Sequence, residues 1–306
     1  MDIQVVFQVM LKLFIILVLG YVLNKTGIFD EHTNKRISAL ITKVTAPFLI
    51  ISSALSASTD NRMQVIIMLM AGFAMYIGFI VVGRIVVALC HFPKADRRVY
   101  ECMLVFSNNS FMGFPVLQSI FGTEAIFYSS MIHFSFNILI YTYAVYCLSE
   151  DKEEGTKFDL KRLLTPGLVL TILALVVYIT GFRSRGVVYD TIYMVGNVTA
   201  PLSMLVLGST LALYPLKESL TDVKCYAFSV IRLVAIPVIT FAVCRLLNIN
   251  DFYTGIVTVT NAMPVASMVL MIGNECNANS KLIIRNIVVT TMLSVITIPV
   301  IAAVLL

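Results

Sequence analysis

The segment Ser107-Asn108-Asn109-Ser110-Phe111-Met112-Gly113-Phe114-Pro115 puts two amides, two hydroxyls, a glycine and a proline inside an apolar run from about Val99 to Phe121. Thr260-Asn261-Ala262-Met263-Pro264 interrupts a second run, about Phe252 to Gly273, in the same way. A helix broken inside a bilayer exposes N–H and C=O groups that lipid cannot satisfy, so a break is tolerated where protein or a cavity covers it. Paired interruptions at corresponding places in two halves of a chain point to a transporter's substrate site. The chemistry on offer is non-covalent. Asn108, Asn109 and Asn261 bring amides, and Ser110 and Thr260 bring hydroxyls. Pro115 and Pro264 break the helices, and the N-terminal ends of the resulting half-helices carry free N–H groups and partial positive charge, suited to an anion. The plainer alternative is a tolerated kink whose amides join neighbouring helices.

Charge within the apolar runs is lopsided. Lys12, Lys43, Arg84 and Arg232 lie inside them, whereas the nearest acids, Glu101, Glu124 and Glu275, sit at their ends. Intramembrane charge is expensive and usually functional. Lys43 stands one turn before Pro47 and is expected to face the substrate path. Lys12, Arg84 and Arg232 are expected to snorkel to an interface. The positive excess favours an anionic substrate. His133, with Asn137 four residues on, is expected to bond a neighbour; with Glu124 and Glu275 it forms the candidate set for ion coupling. No HExxH, G-x-S-x-G or P-loop pattern occurs, so neither an enzyme nor a cofactor or metal site is expected.

These residues must be positioned by membrane-spanning helices. The chain has 306 residues, 59% hydrophobic and 13% charged, against about 25% charged in soluble domains. A span needs about 20 mostly apolar residues. The apolar runs predict ten, near 5–23, 37–57, 63–90, 99–121, 124–149, 166–182, 188–212, 223–247, 252–273 and 283–306. The first is expected as a retained span, since Asp2 precedes it and no base comes before Lys12. The charged stretch from Glu150 to Arg162 divides the chain into a first five-helix repeat (1–149), a linker (150–165) and a second repeat (166–306). Lys25, Lys35, Arg36, Lys94, Arg97, Arg98, Lys152, Lys157, Lys161, Arg162, Lys217, Lys224, Lys281 and Arg285 fall in loops on one side, against Arg62, Arg183, Arg185 and Arg245 on the other. By the positive-inside rule the linker is cytoplasmic and both termini are outside. Bases spread mostly over short loops give no nucleic-acid signal, despite a net charge of +5. Six scattered Cys without a CxxC pattern are expected as buried thiols. Val44-Thr45-Ala46-Pro47 recurs as Val198-Thr199-Ala200-Pro201, and Gly122-Thr123-Glu124 has its counterpart in Gly273-Asn274-Glu275. Five spans per repeat force the halves into opposite orientations, so the expected fold is all-α, ten transmembrane helices in two inverted five-helix repeats, with helices 4 and 9 broken.

Asn108 through Pro115, ending Met112-Gly113-x-Pro115, resembles a segment of the auxin efflux carrier (PIN-like) family. Pro264, followed by Glu275, Cys276 and Asn277, is similar to the family's segment after its second crossover. The likeness covers the whole chain, which lacks the long cytoplasmic loop of the plant carriers and resembles a compact bacterial-type member. The resemblance implies a scaffold of helices 1, 2, 6 and 7 and a transport domain of helices 3–5 and 8–10. It also implies substrate at the crossover of helices 4 and 9, elevator-type alternating access and a homodimer in the cell membrane. The implied cargo is a small organic anion, auxin in plants or a dicarboxylate such as malate or malonate in bacterial relatives, moved outward. It carries roles onto Asn108, Pro115, Pro264 and Lys43. Plant members have an Asp–Lys pair in helix 3, but Met63–Leu89 holds no acid here. The alternatives are sodium- or proton-coupled symport, as in the more distantly similar sodium/bile-acid carriers, and a non-transporting sensor.

Overall fold

The computed structural model describes residues 3–57, 62–90, 92–149, 166–182, 186–214 and 216–305. Among them there is no strand, only an isolated antiparallel bridge between Ser107 and Val265. Seven helical stretches are long and apolar enough to cross a membrane: Val6–Lys25, Glu31–Ser56, Met63–Leu89, Thr123–Leu148, Val187–Ala212, Val223–Leu246 and Ser280–Leu305. The chain is a multi-pass membrane protein. The expected sixth span is the shorter helix Pro166–Thr180, and the expected fourth and ninth are each a pair of shorter helices. The charged linker 150–165, and Arg183 and Arg185, lie outside the described residues.

Helix α1 (Ile3–Lys25) ends where Gly27 takes a φ of 79°, a left-handed turn that glycine enters without a Cβ clash. Asp30 then caps α2 (Glu31–Leu40), accepting a 2.7 Å bond from the Thr33 N–H. A π turn, Ile41–Thr45, joins α2 to α3 (Ala46–Ser56). Next come α4 (Arg62–Leu89), α5 (Arg97–Val105), α6 (Phe114–Phe121) and α7 (Thr123–Leu148). Beyond the linker lie α8 (Pro166–Thr180), α9 (Val187–Asn197), α10 (Thr199–Ala212), the short α11 (Leu216–Leu220) and α12 (Val223–Val230). The chain closes with α13 (Ile236–Leu246), α14 (Asp251–Asn261), α15 (Ser267–Glu275) and α16 (Ser280–Leu305).

Three π turns among the described residues share one cause. Ile41–Thr45, Asn109–Gly113 and Ile231–Ala235 each end two residues before a proline, respectively Pro47, Pro115 and Pro237. Proline has no N–H to give the carbonyl four residues back, and its ring crowds that carbonyl. A wider turn relieves the clash without ending the helix.

Packing relies on small residues, because lipid removes the hydrophobic drive for helices to associate. A Cβ on Gly20 of α1 would strike the Leu205 carbonyl, and one on Gly208 of α10 would strike the Leu17 carbonyl, so these helices run backbone to backbone. Gly196 of α9 also lies close to the backbone of Leu49 in α3. Helix α8 also packs on α3. Elsewhere α4 and α5 pack on α7, while α12 and α15 pack on α16. The two sets meet where α1 touches α16 and α3 touches α7. Large apolar side chains on α1 and α4, among them Ile15, Met70 and Ile77, point outward as lipid-facing residues do.

Candidate functional site

The two interruptions touch. Helix α5 stops at Phe106, whose backbone is extended at φ −101° and ψ 113°. Ser107, Asn108 and Asn109 favour such a stop, since their short polar side chains compete for backbone partners. Pro115 then forces the wide turn at Asn109–Gly113 before α6 resumes. Helix α14, capped by Asn250, stops at Asn261, and α15 restarts at Ser267 after an extended Ala266. The Asn108 N–H donates to the Pro264 carbonyl at 2.8 Å, and the Ala266 N–H donates to the Phe106 carbonyl at 3.0 Å. The Val265 N–H donates to Thr290 Oγ1 of α16 at 3.3 Å. Each break thus supplies partners that the other lacks, which is what an apolar medium demands.

Side chains fill the junction incompletely. Asn109 donates from Nδ2 to the Tyr76 hydroxyl at 3.0 Å, and its Oδ1 has no partner. Asn108 is buried with Nδ2 unpaired. Asn261 is buried, returns Nδ2 to the Val257 carbonyl at 3.0 Å and leaves Oδ1 unpaired. Thr260 bonds back to the Ile256 carbonyl at 2.7 Å. Ser110, half-buried, shares a 2.8 Å hydrogen bond with His133 Nε2. Pro115 is buried at the start of α6, and Pro264 takes part through its carbonyl. Neither α15 nor the turn that opens at Asn109 has a side-chain cap. Tyr76, Phe106 and Phe136 wall the junction, with Tyr76 and Phe106 stacked at 6.0 Å. Beside Met112 is a void of only about 10 Å³, also bordered by Met10, Leu13, Leu17 and Met204, so α1 and α10 close over this side.

The sequence-derived set therefore separates. Asn108, Asn109, Asn261, Pro264 and the Ser110–His133 pair gather at or beside the junction. Lys43 does not join them: it is exposed, as are Thr42 and Val44, because its π turn presents that face outward. Glu124, in the first turn of α7, and Glu275, the last residue of α15, are exposed at helix ends. Lys12 is exposed, and Arg84 is mostly so, bonding Glu101 at 3.0 Å. Arg232 departs from its expected place at an interface. It is 0% exposed, on the turn Ile231–Ala235, and donates from Nη1 to the Asn261 carbonyl at 3.0 Å. Its Nε and Nη2 have no partner. Tyr76, on the α4 wall, lies within electrostatic reach of Arg232. Sequence reasoning passed over Tyr76 and placed Arg232 at an interface. The usable signal was an Arg five residues before a mid-run proline, with no acid in the same apolar run.

The comparisons with known proteins agree with a transport role. A model of the family described as membrane transport protein matches residues 5–302. An uncharacterized transporter of Methanocaldococcus jannaschii is 26% identical over 306 residues, covering 95% of this chain and 96% of its own. An uncharacterized transporter of Methanothermobacter thermautotrophicus is 23% identical over 302 residues, again covering 95% and 96%.

Proposed function

This chain belongs to the membrane transport protein family, as its likeness to the auxin efflux carriers implied, and from that premise we propose that it is a secondary carrier that moves a small organic anion outward across the cell membrane. The observation that carries the reading is the reciprocal backbone pairing of the two breaks around the unpaired amide groups of Asn108, Asn109 and Asn261. Two half-helix N-terminal ends without side-chain caps, and a buried cation that no acid pairs with among the described residues, favour negative charge there.

The proposed architecture is ten spans in two inverted repeats, with the junction as the crossover of helices 4 and 9. Thr45 and Thr199, equivalent residues of the recurring Val-Thr-Ala-Pro segment, are both buried with unpaired hydroxyls, which supports the repeat. In this mechanism helices 3–5 and 8–10 carry the junction past a scaffold of helices 1, 2, 6 and 7, locked by the Gly20 and Gly208 contacts. Both termini are outside and the scaffold forms the homodimer. The small void beside Met112 matches a closed stage of such a cycle. A proton-coupled version is favoured by one contact, Ser110 with His133.

Purified protein in proteoliposomes, given malate, malonate, short monocarboxylates and indole-3-acetate singly, with and without pH and Na⁺ gradients, tests the reading. Flux of at least one anion is expected. Asn108→Ala should remove anion binding and leave a folded protein; unchanged binding would sink the assignment of the junction. Flux that needs a proton gradient, and loses that need in His133→Gln, would establish the coupled version.

A further inference from the structure

We propose that Arg232 is the carboxylate anchor of this junction, and that the site is matched to singly charged carboxylates. The proposal rests on the transport reading and adds a residue, a geometry and a charge rule.

Arg232 has three nitrogens and one partner. Nη1 caps the C-terminal end of α14 through the Asn261 carbonyl, where a cation is favoured by the helix dipole. The unpaired nitrogens are Nε and Nη2. They lie on one edge of the guanidinium plane, and their N–H bonds run parallel. That edge is the fork that accepts the two oxygens of a single carboxylate. The bond to Asn261 thus takes the nitrogen that the fork does not need. It also fixes the plane, so the fork is held ready before any ligand arrives.

Among the described residues no acid pairs with this group. Among the described residues Arg232 is the only buried cation and Glu101 the only buried acid. Glu101 is engaged elsewhere, by Arg84 and the Tyr143 hydroxyl. An unpaired charge with orphaned donors is among the most expensive things to bury. A bound carboxylate removes both penalties together. One negative charge makes the loaded site neutral. A dianion leaves a net negative charge in an apolar surround, with no second buried cation to meet it. A dicarboxylate should therefore enter chiefly in its singly protonated form.

The test compares acetate, pyruvate and indole-3-acetate with malonate and malate, in proteoliposomes holding wild type, Arg232→Lys or Arg232→Gln. Wild type should take monocarboxylates with the lower KM. Its apparent KM for malonate should fall as the pH is lowered through malonate's second ionisation, while that for pyruvate changes far less. Arg232→Lys keeps the charge and a donor for Asn261 but loses the fork, so its KM for monocarboxylates should rise about 10-fold to 100-fold with a smaller change in kcat. Arg232→Gln should lose measurable uptake. Carboxylate flux with wild-type KM in either variant overturns the anchor and leaves the transport reading intact. A wild type that prefers dianions, or ignores the protonation state of malonate, overturns the charge rule, and this arm needs no folded variant. Folded wild type that moves no carboxylate at all overturns the transport reading and this inference with it.

Discussion

Two helices of this molecule carry a cation inside a π turn that ends two residues before a proline. The local chemistry is nearly the same, but Lys43 faces outward and Arg232 is sealed at the junction of the broken helices. Proline dictates the turn in both places. What lies against the turn decides the fate of the charge. Arg232 meets the C-terminal end of α14, whose last carbonyl needs a donor. Lys43 is on the outward face of the turn Ile41–Thr45, whose other side packs beside helices α2, α3, α8, α9 and α10. A charge in an apolar run is thus a question, and the answer is the nearest unfinished helix.

The comparison can be broken directly. The largest expected contrast is between Arg232→Gln and Lys43→Gln. The first should abolish carboxylate uptake, whereas the second should leave KM within about 2-fold, since exposed single charges contribute little. Equal loss from both would return Lys43 to the site. The next contrast concerns the turns. Pro237→Ala restores a donor and lets the helix regularise, which turns Arg232 relative to Asn261; Pro47→Ala does the same to Lys43. Uptake should fall about 10-fold or more in the first variant and far less in the second, with helix content by circular dichroism unchanged in both. Tyr76→Phe sharpens the comparison on Arg232's side. It removes the hydroxyl that receives Asn109 Nδ2, and KM should rise about 3-fold to 10-fold, the effect of one hydrogen bond. The smallest effect is on the other turn's helix. The cap bond from Thr33 holds the Asp30 carboxyl below its ordinary range, so its contribution is present at neutral pH and fades as acid protonates it. Asp30→Ala should lower the Tm slightly at pH 7 and not at all near pH 2.

Much of the helical order was legible, because Asn, Ser and Pro inside apolar runs announce their breaks chemically. Asn108, Asn109 and Asn261 were found that way and do come to one junction. That the two breaks satisfy each other's backbone was not legible, since the bonds from Asn108 to Pro264 and from Ala266 to Phe106 join residues more than 150 positions apart. Burial of a charge was not legible either. Arg232 and Arg84 look alike along the chain, but one ends fully buried against the end of α14 and the other on a rim beside Glu101. Lys43 misled because position along a span was read as position around it, and a π turn alters the phase of a helix face.

The unpaired edge of Arg232 has a consequence for energetics under the proposed sliding motion. The loaded site is neutral and the empty one carries a full positive charge, so Arg232 acts as a gating charge on the return stroke alone. One elementary charge crossing the field is worth about 2.3 kcal/mol per 100 mV. An inside-negative membrane would pull the vacant site toward the cytoplasm, resetting it for another outward trip without a coupling ion. Transient currents in the absence of substrate, lost in Arg232→Gln, would reveal that voltage-driven reset; their persistence would place the moving charge elsewhere.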